Sequence, residues 1–442
     1  MLVLKFGGTS VGSVKNMTNV KSIVSEGGRK VVVLSAMSGT TNALVEISKT
    51  IIEGESQDAL NRIEALYQNY VVVVNDLFSK QEFIDESLQY IDSVFAELRA
   101  LTSQPSNKLL YKIIVSKGEL LSTFMFSRFL QQDGIKATLI SAFDFMRTDR
   151  LQEPDSFYIK QNLGRILNDN LETEVFITQG FICLDADGDI SNLERGGSDF
   201  TASIIGAAVD AEEVQIWTDI DGFHNNDPRF VHDTDAISHL SFDEAAELAY
   251  FGAKILHPQT VMPVRDLKIP VRIKNTMEPA AHGTLIDDSA EGEGIKAIAA
   301  IDGITAIKIK SARMLQASGF LKKVFEIFEK YHTSIDMITT SEIAVSLTID
   351  DATFLRDIVA ELEEFSKVEV DTHRTIVCVV GNNIVHHPDT HKLFQILQDI
   401  NIRMISYGGS NNNISLLINT SDKTETLQKL HRYVFETVLA KV

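Results

Sequence analysis

The sequence predicts a mainly parallel α/β sandwich over residues 1 to about 290, followed by two small α+β modules. Three observations carry this reading. Over the first 290 residues, short β-branched or apolar runs alternate with longer segments of helical period, the pattern of a parallel sheet covered on both faces. Residues 286–294, Ile-Asp-Asp-Ser-Ala-Glu-Gly-Glu-Gly, are small and acidic and read as a linker. Beyond them, a shift of 69 residues superposes 305–349 on 374–418 without a gap, matching Ile307 to Ile376, Lys323 to Lys392, Phe325 to Phe394 and Leu347 to Leu416.

Strands are expected at 2–6, 31–35, 137–141, 175–182, 214–218 and 270–274. Ligands of such sheets collect at the carboxyl ends of the strands. Ser241 with Glu244 three residues later forms a capping box, so a helix is expected to run to about His257, where Pro258 helps stop it. That places Lys254 near a helix C-terminus. In the last third, 300–442, each repeat reads strand, loop, helix, strand, turn, strand. Two copies are too few for a solenoid, and paired small sheets of this kind form a ligand-binding or dimerising unit.

Composition bounds the function. At 442 residues the chain is too long for one core and suggests two or three domains. A net charge of −20, with no long basic run, repels a polyphosphate backbone and disfavours general nucleic-acid binding. No apolar run approaches the roughly 20 residues that cross a bilayer, and the N-terminus enters a strand without a secretory pattern. Cys183 and Cys378 lie far apart, which argues against a disulfide framework and for a reducing compartment. The reading is a cytoplasmic protein with no membrane partner.

Four loops share one chemistry. KFGGTSVG places Lys5 at a strand end, followed by Gly7, Gly8, Thr9 and Ser10: glycines admit an anion to the backbone amides, hydroxyls add donors, and the lysine adds charge. It is not a Walker A loop, since Ser13 stands where that motif demands lysine, and the dinucleotide pattern is also absent. A second strand ends in Ser35, Ser38, Gly39, Thr40, Thr41 and Asn42. LERGGSDF opens a helix with Arg195, Gly196, Gly197, Ser198 and Asp199, and IWTDIDGFHNNDPRF follows a strand with Thr218, Asp219, Asp227 and Arg229.

Phosphoryl transfer suits such loops, because it asks for charge neutralisation, a metal held with the nucleotide and a positioned acceptor. Lys5 and Lys254 can neutralise phosphate, and Asp199 or Asp219 can orient the acceptor or Mg2+ through water. Glu119, read at the start of an apolar helix in VSKGELLS, and Arg195 together fit an α-amino acid, a carboxylate for its ammonium and a guanidinium for its carboxylate.

The strings KFGGTSV, VSKGE, RGGSD, WTDIDG, DPR and FGAKILHP come in the order and spacing of the aspartate kinases, and the chain resembles the monofunctional, lysine-sensitive type over nearly its whole length. The resemblance implies an amino-acid kinase fold over 1–290 and tandem ACT domains over 300–442, and phosphorylation of the β-carboxylate of L-aspartate by ATP with Mg2+, the first step towards lysine, threonine and methionine. It implies Lys5 on the transferring phosphate with Gly7 and Gly8 beside it, Asp199 near the reacting centre, and Ser35, Thr41, Glu119, Arg195 and Gly196 on aspartate. Thr218, Asp219, His224, Arg229 and Lys254 would hold ATP, with the metal carried by the nucleotide. Glu194 departs from the glycine of many relatives, and His224 from a tyrosine, which keeps stacking over less area and loses a hydroxyl contact. Two rivals stand beside this reading: a same-fold kinase of another acid, such as glutamate or acetylglutamate, and a silent amino-acid sensor.

The repeats are asymmetric where an effector would sit. The first carries Ser334, Asp336, Thr340, Ser341 and Glu342, while the shift puts Ile405, Gly409, Ser410 and Asn411 at the places of the last four. An inhibitor with a cationic side chain needs such an acid, so lysine is expected on Asp336, with its α-groups against Met314 to Phe320, including Gly319, a loop that resembles the family's effector loop. A homodimer or tetramer through the ACT domains is implied. Other patterns read as structural: DADGDIS at Asp185 as a hairpin turn, His387 and His391 as a helix start, and Trp217 as core.

Overall fold

The computed structural model describes all residues except 105–107, 194–195, 252–255, 257, 290–291, 293, 312–318, 389 and 438–442. The chain divides into two compact units, one of Met1–Phe223, Ser238–Phe242 and Leu256–Ala290, the other of His224–Ile237, Asp243–Ile255 and Glu291–Val442.

In the first unit the elements are β1 (Leu2–Phe6), α1 (Val14–Ser25), β2 (Lys30–Leu34), α2 (Thr40–Ile52), α3 (Ser56–Leu77), α4 (Gln81–Leu101), α5 (Lys108–Gln132), β3 (Ala137–Leu139) and α6 (Ser156–Asp169). They continue with β4 (Val175–Gln179), β5 (Ile182–Leu184), β6 (Ile190–Asn192), α7 (Gly197–Ala208), β7 (Glu213–Thr218) and β8 (His239–Leu240). After α8 (Phe242–Tyr250), most of which belongs to the second unit, come α9 (Met262–Arg265), β9 (Val271–Asn275) and β10 (Thr284–Ile286). The main sheet has the order β3-β4-β2-β1-β7-β9-β10-β8, parallel from β3 to β9. Its central strand β2, Lys-Val-Val-Val-Leu, is buried at every position because helices cover both faces of a parallel sheet. Leu4, Phe6, Val32 and Leu34 join Met17, Val20 and Val24 of α1 and Leu121 and Met125 of α5 in one core.

Two local expectations are corrected here. The strand expected over 175–182 is broken at Gly180 and Phe181: a Cβ on Gly180 would lie 2.3 Å from that of Ser198, and Phe181 takes φ +68°. Glu119 does not start a helix; it lies midway along α5, which begins at Lys108. Gly118 before it sits at a close packing point, since a Cβ there would approach that of Ala36 to 2.8 Å. The Asp185 segment is the turn between β5 and β6, with Asp185 Oδ1 accepting from the amides of Asp187 and Asp189, both at 3.0 Å. Trp217 is core, stacked on Phe6 at 5.7 Å between ring centroids.

The second unit holds β11 (Gly294–Lys310), α10 (Phe320–Lys330), β12 (Ile338–Thr340), β13 (Ala344–Ile349), α11 (Leu355–Glu363) and β14 (Lys367–Asn382). Then come α12 (Thr390–Ile396), β15 (Met404–Tyr407), β16 (Asn413–Asn419) and α13 (Lys423–His431). One antiparallel sheet, β12-β13-β11-β14-β16-β15, serves both modules. Two long strands make this possible: 304–310 of β11 pairs with β13 and with the start of β14, while 294–301 pairs with the end of β14. Each module has its own core, one around Ile307, Val324, Phe328 and Leu347, the other around Val377, Leu393, Leu397 and Leu416.

The gapless repeat is corrected by one residue. Ile307 pairs with Leu347 inside the first core, and the equivalent pair is Val377 with Leu416, so the first strand of the repeat is displaced by 70 residues and the later elements by 69. The matched Ile376 points to the other face, as any one-residue slip in a strand requires. The helix expected over 241–257 is described only to Tyr250, with Phe251 in a turn. The expected remainder, 252–255 and 257, lies outside the described residues. Glu244 Oε2 meets the Lys296 ammonium at 3.0 Å.

The segments 224–237 and 243–250 are fastened to the two repeat modules. Asn225 accepts at its carbonyl from the Ile298 amide at 2.9 Å, Asn226 donates to the Leu427 carbonyl at 3.3 Å, and Val231 lies in the second core. Cys183 and Cys378, one in each unit, are buried free thiols. No described helix is long and apolar enough to cross a membrane.

Candidate active site

Parallel strands put their carboxyl ends on one side, so the loops after β1, β2, β4 and β7 meet there with the N-terminus of α7. Direct contacts knit them together. The Lys5 ammonium lies 2.7 Å from Asp199 Oδ1, joining β1 to the first turn of α7. Both side chains are largely buried, at 12% and 18% exposure, so the pair is oriented without being sealed from ligand. The Gly7 amide donates to the Trp217 carbonyl at 3.3 Å, and the Ser38 amide donates to the Gly8 carbonyl at 3.1 Å. Gly8 has no room for a side chain: a Cβ would lie 2.9 Å from the Ala36 carbonyl oxygen. Ser35 donates to the Ser198 hydroxyl at 3.0 Å, linking the second loop to α7.

Gly196 caps α7 at φ +68°, a conformation glycine adopts without cost, and a Cβ there would strike Thr260 at 2.1 Å. The start of this helix, with Asp199 in its first turn, lies beside Lys5 and carries the positive end of the helix dipole.

Glu119 projects from α5 towards the second loop, where its Oε1 accepts from the Ala36 amide at 3.2 Å. It is 3% exposed, and among the described residues its Oε2 has no hydrogen-bond partner. Burial outweighs the Ala36 amide and pushes its pKa from 4.5 up to about 7. Mid-helix, it gains nothing from a helix N-terminus. A buried charge is costly unless it is paired, so an ionised Glu119 calls for a cationic partner.

Other expected residues lie less centrally. Thr41 is exposed on the first turn of α2, after Gly39 at φ +82°. Thr218 donates to Asp219 Oδ1 at 3.1 Å, and Asp219 is exposed at the end of β7. In the second unit, His224 Nδ1 sits 3.1 Å from the Thr234 hydroxyl, and Arg229, 78% exposed, is held by both oxygens of Asp227, at 3.0 Å from Nε and 2.7 Å from Nη2. Glu194, Arg195, Lys254 and Met314 lie outside the described residues. Gly319, at φ +98°, caps α10, which Phe320 begins.

Around the first module, Ser334, Thr340, Ser341 and Glu342 are exposed, whereas Asp336 is half-buried. Its Oδ1 accepts from the Tyr250 hydroxyl at 2.9 Å and its Oδ2 from Thr348 at 3.3 Å. Burial, with the Asp350 charge adding to it, pushes its pKa up to about 6 against the pull of these donors. Sequence reasoning missed Tyr250, 86 residues away in the chain. It also missed Phe181, whose amide donates to Thr201 at 2.8 Å beside the α7 start; its positive φ has no signature in a phenylalanine.

Residues 1–275 match the amino acid kinase family and 377–433 an ACT domain. The lysine-sensitive aspartokinase 3 of Escherichia coli (strain K12) is 36% identical over 450 residues, covering 99% of each chain. The chloroplastic aspartokinase 3 of Arabidopsis thaliana is 36% identical over 98% of this chain and 82% of its own. Among solved structures, E. coli aspartokinase III with aspartate and ADP superposes with a TM-score of 0.84 at 34% identity, over 98% of this chain and 100% of that one. The same protein with lysine and aspartate gives 0.83 at 33%, over 98% and 99%.

Proposed function

The chain belongs to the amino acid kinase family and, within it, to the aspartate kinases, and from that premise we propose how its residues share the work. The reaction moves the γ-phosphoryl group of ATP to the β-carboxylate of L-aspartate, under feedback by lysine. The observation that carries the assignment is the Lys5–Asp199 pair at 2.7 Å, set between the glycine loop after β1 and the start of α7.

Lys5 is the group that meets the charge developing on the transferring phosphoryl, and Asp199 holds its ammonium in place. Gly7 and Gly8 leave their backbone open to phosphate oxygens. Glu119 takes the α-ammonium of aspartate, Arg195 its α-carboxylate, and Ser35, Thr41 and Gly196 complete the acceptor's surroundings. Thr218 and Asp219, and His224, Arg229 and Lys254, serve the nucleotide. Asp199 and Asp219 offer the hard oxygens Mg2+ takes, and Asp219 keeps one oxygen clear of Thr218; bound with ATP, the metal supplies charge neutralisation.

Lysine occupies the first regulatory module, with its side-chain ammonium on Asp336, and lowers the catalytic unit's hold on ATP or aspartate. The assembly is a homodimer or tetramer through the ACT modules, a reading supported by exposed Ile338 and Ile405 on the two edge strands of their sheet. A cytoplasmic location completes the proposal.

A coupled ADP-release assay with aspartate, glutamate and acetylglutamate tests the reaction. Turnover with aspartate alone is expected; turnover with another of the acids and not with aspartate overturns it. Calorimetry that finds threonine bound and lysine not bound overturns the effector.

A further inference from the structure

Helix α8 presents three polar residues at a spacing of three, Glu244, Glu247 and Tyr250, which places them along one helix face. Each is fastened to the regulatory sheet. Glu244 Oε2 meets the Lys296 ammonium at 3.0 Å, and Glu247 Oε2 accepts from the Asn413 side-chain amide at 2.6 Å. Lys296 lies on the half of β11 that pairs with the end of β14, and Asn413 opens β16, so both belong to the second module. Tyr250, at the other end of the helix, donates to Asp336, which precedes β12 of the first module. One helix face therefore straddles the two modules.

The three contacts differ in exposure: Glu244 is buried, Glu247 half-buried and Tyr250 exposed. Glu244 is 1% exposed and joined by an ion pair, and Glu247 offers a charged acceptor to an amide. Tyr250 is 44% exposed, and the groups on Asp336 are neutral hydroxyls, its own and that of Thr348. An ammonium adds to its hydrogen bond a charge–charge attraction to the carboxylate that a neutral hydroxyl lacks. Of the three fastenings, the Tyr250 end is the one a cationic ligand can displace.

We infer that Tyr250 and the effector's side-chain ammonium compete for the Asp336 carboxylate, and that α8 carries the outcome from the first module to the chain segment bearing Lys254. This rests on the reading of Asp336 as the effector's acid. With lysine absent, the hydroxyl holds the end of α8 on the first module. When the ammonium takes Asp336, that end is released while Glu244 and Glu247 keep the helix on the second module. Lys254 follows Tyr250 by four residues in the sequence.

The test compares wild type with Tyr250→Phe and Asp336→Asn by lysine calorimetry, steady-state inhibition and amide hydrogen exchange over 243–250. Phenylalanine keeps the ring packed on Phe251, at 4.9 Å between centroids, and removes only the competing hydroxyl. Tyr250→Phe should bind lysine about 2–12-fold more tightly, the worth of one net hydrogen bond, yet be less inhibited at saturation. In wild type, saturating lysine should speed exchange in α8; in Tyr250→Phe exchange should be fast already and indifferent to lysine. Asp336→Asn should lose lysine binding. If it binds lysine like wild type, the effector reading fails and this inference with it. If Asp336→Asn loses binding but Tyr250→Phe matches wild type in affinity and inhibition, or lysine inhibits wild type without altering exchange in α8, the competition alone is overturned.

Discussion

Two carboxylates, Glu119 and Asp336, are both drawn out of water and both held above the usual carboxylate range, yet their surroundings are opposite. Glu119 sits in a rigid frame, between a helix packed through Gly118 and a loop zipped to its neighbour, with one oxygen left idle among the described residues. Asp336 sits on a sheet edge with both oxygens already served by hydroxyls. On the roles proposed above, a ligand cation arriving at Glu119 completes a site, and one arriving at Asp336 evicts a partner. The first arrangement suits catalysis, where groups are placed before the substrate comes. The second suits regulation, where binding must change something.

The largest effect that sharpens this contrast is expected at Lys5. Lys5→Ala should lower single-turnover rate by about 10²–10³, the usual worth of a group aimed at developing charge, while binding of a non-hydrolysable ATP analogue changes far less. Near-normal turnover would remove Lys5 from the chemistry and leave the frame around Glu119 without a catalytic centre.

Next comes Glu119→Ala. Losing one partner of a buried charge-assisted contact costs about 2–5 kcal/mol, so aspartate use should weaken well over tenfold while ATP affinity hardly moves. Steady-state kinetics with the reverse pattern would make Glu119 a support for the Ala36 loop and erase the comparison.

At Asp336, Asp336→Ala should abolish a lysine effect of about 5–150-fold, the range of ordinary coupling energies, with uninhibited activity nearly intact. Since coupling is reciprocal, saturating substrates should raise the lysine concentration for half inhibition in wild type. A variant that stays fully lysine-sensitive would show that the evicted-partner picture belongs elsewhere.

The smallest effect is in pH. With its pKa raised to about 7, Glu119 is increasingly protonated as pH falls below that value, and the protonated form cannot pair with an ammonium. The apparent KM for aspartate should therefore rise towards about tenfold per pH unit below 7 and level off above it. In Glu119→Gln this dependence should vanish; a slope that persists assigns the titration to another group.

How far the sequence could be read follows from the range of the signals. The parallel sheet was legible because buried strands such as β2 are continuous apolar runs, and the tandem modules because they repeat. The one-residue displacement at Val377 was hidden, since identical isoleucines at 307 and 376 favoured the wrong register. Lys5 and Asp199 could be singled out from adjacent glycines, although nothing local said they touch. Glu119 was found for its charge but misplaced along its helix, because nothing local shows that α5 begins eleven residues earlier, at Lys108. Tyr250 was invisible: its significance comes from a carboxylate that only the folded chain brings to it.

The strands β11 and β14 also bear on how this chain can be divided. Because 294–301 lies before the first repeat but pairs with the second, the two modules are braided rather than strung in sequence. A cut between the repeats, at about residue 350, would not liberate one module and spare the other. It would strip 294–301 of its partner and bare the flank of 304–310, offering two raw edges to any neighbouring chain. Such a half should precipitate or pair with its own kind, and the regulatory sheet should melt as one block. Inheritance is constrained likewise: recombination can exchange this regulatory unit whole, but not one half of it.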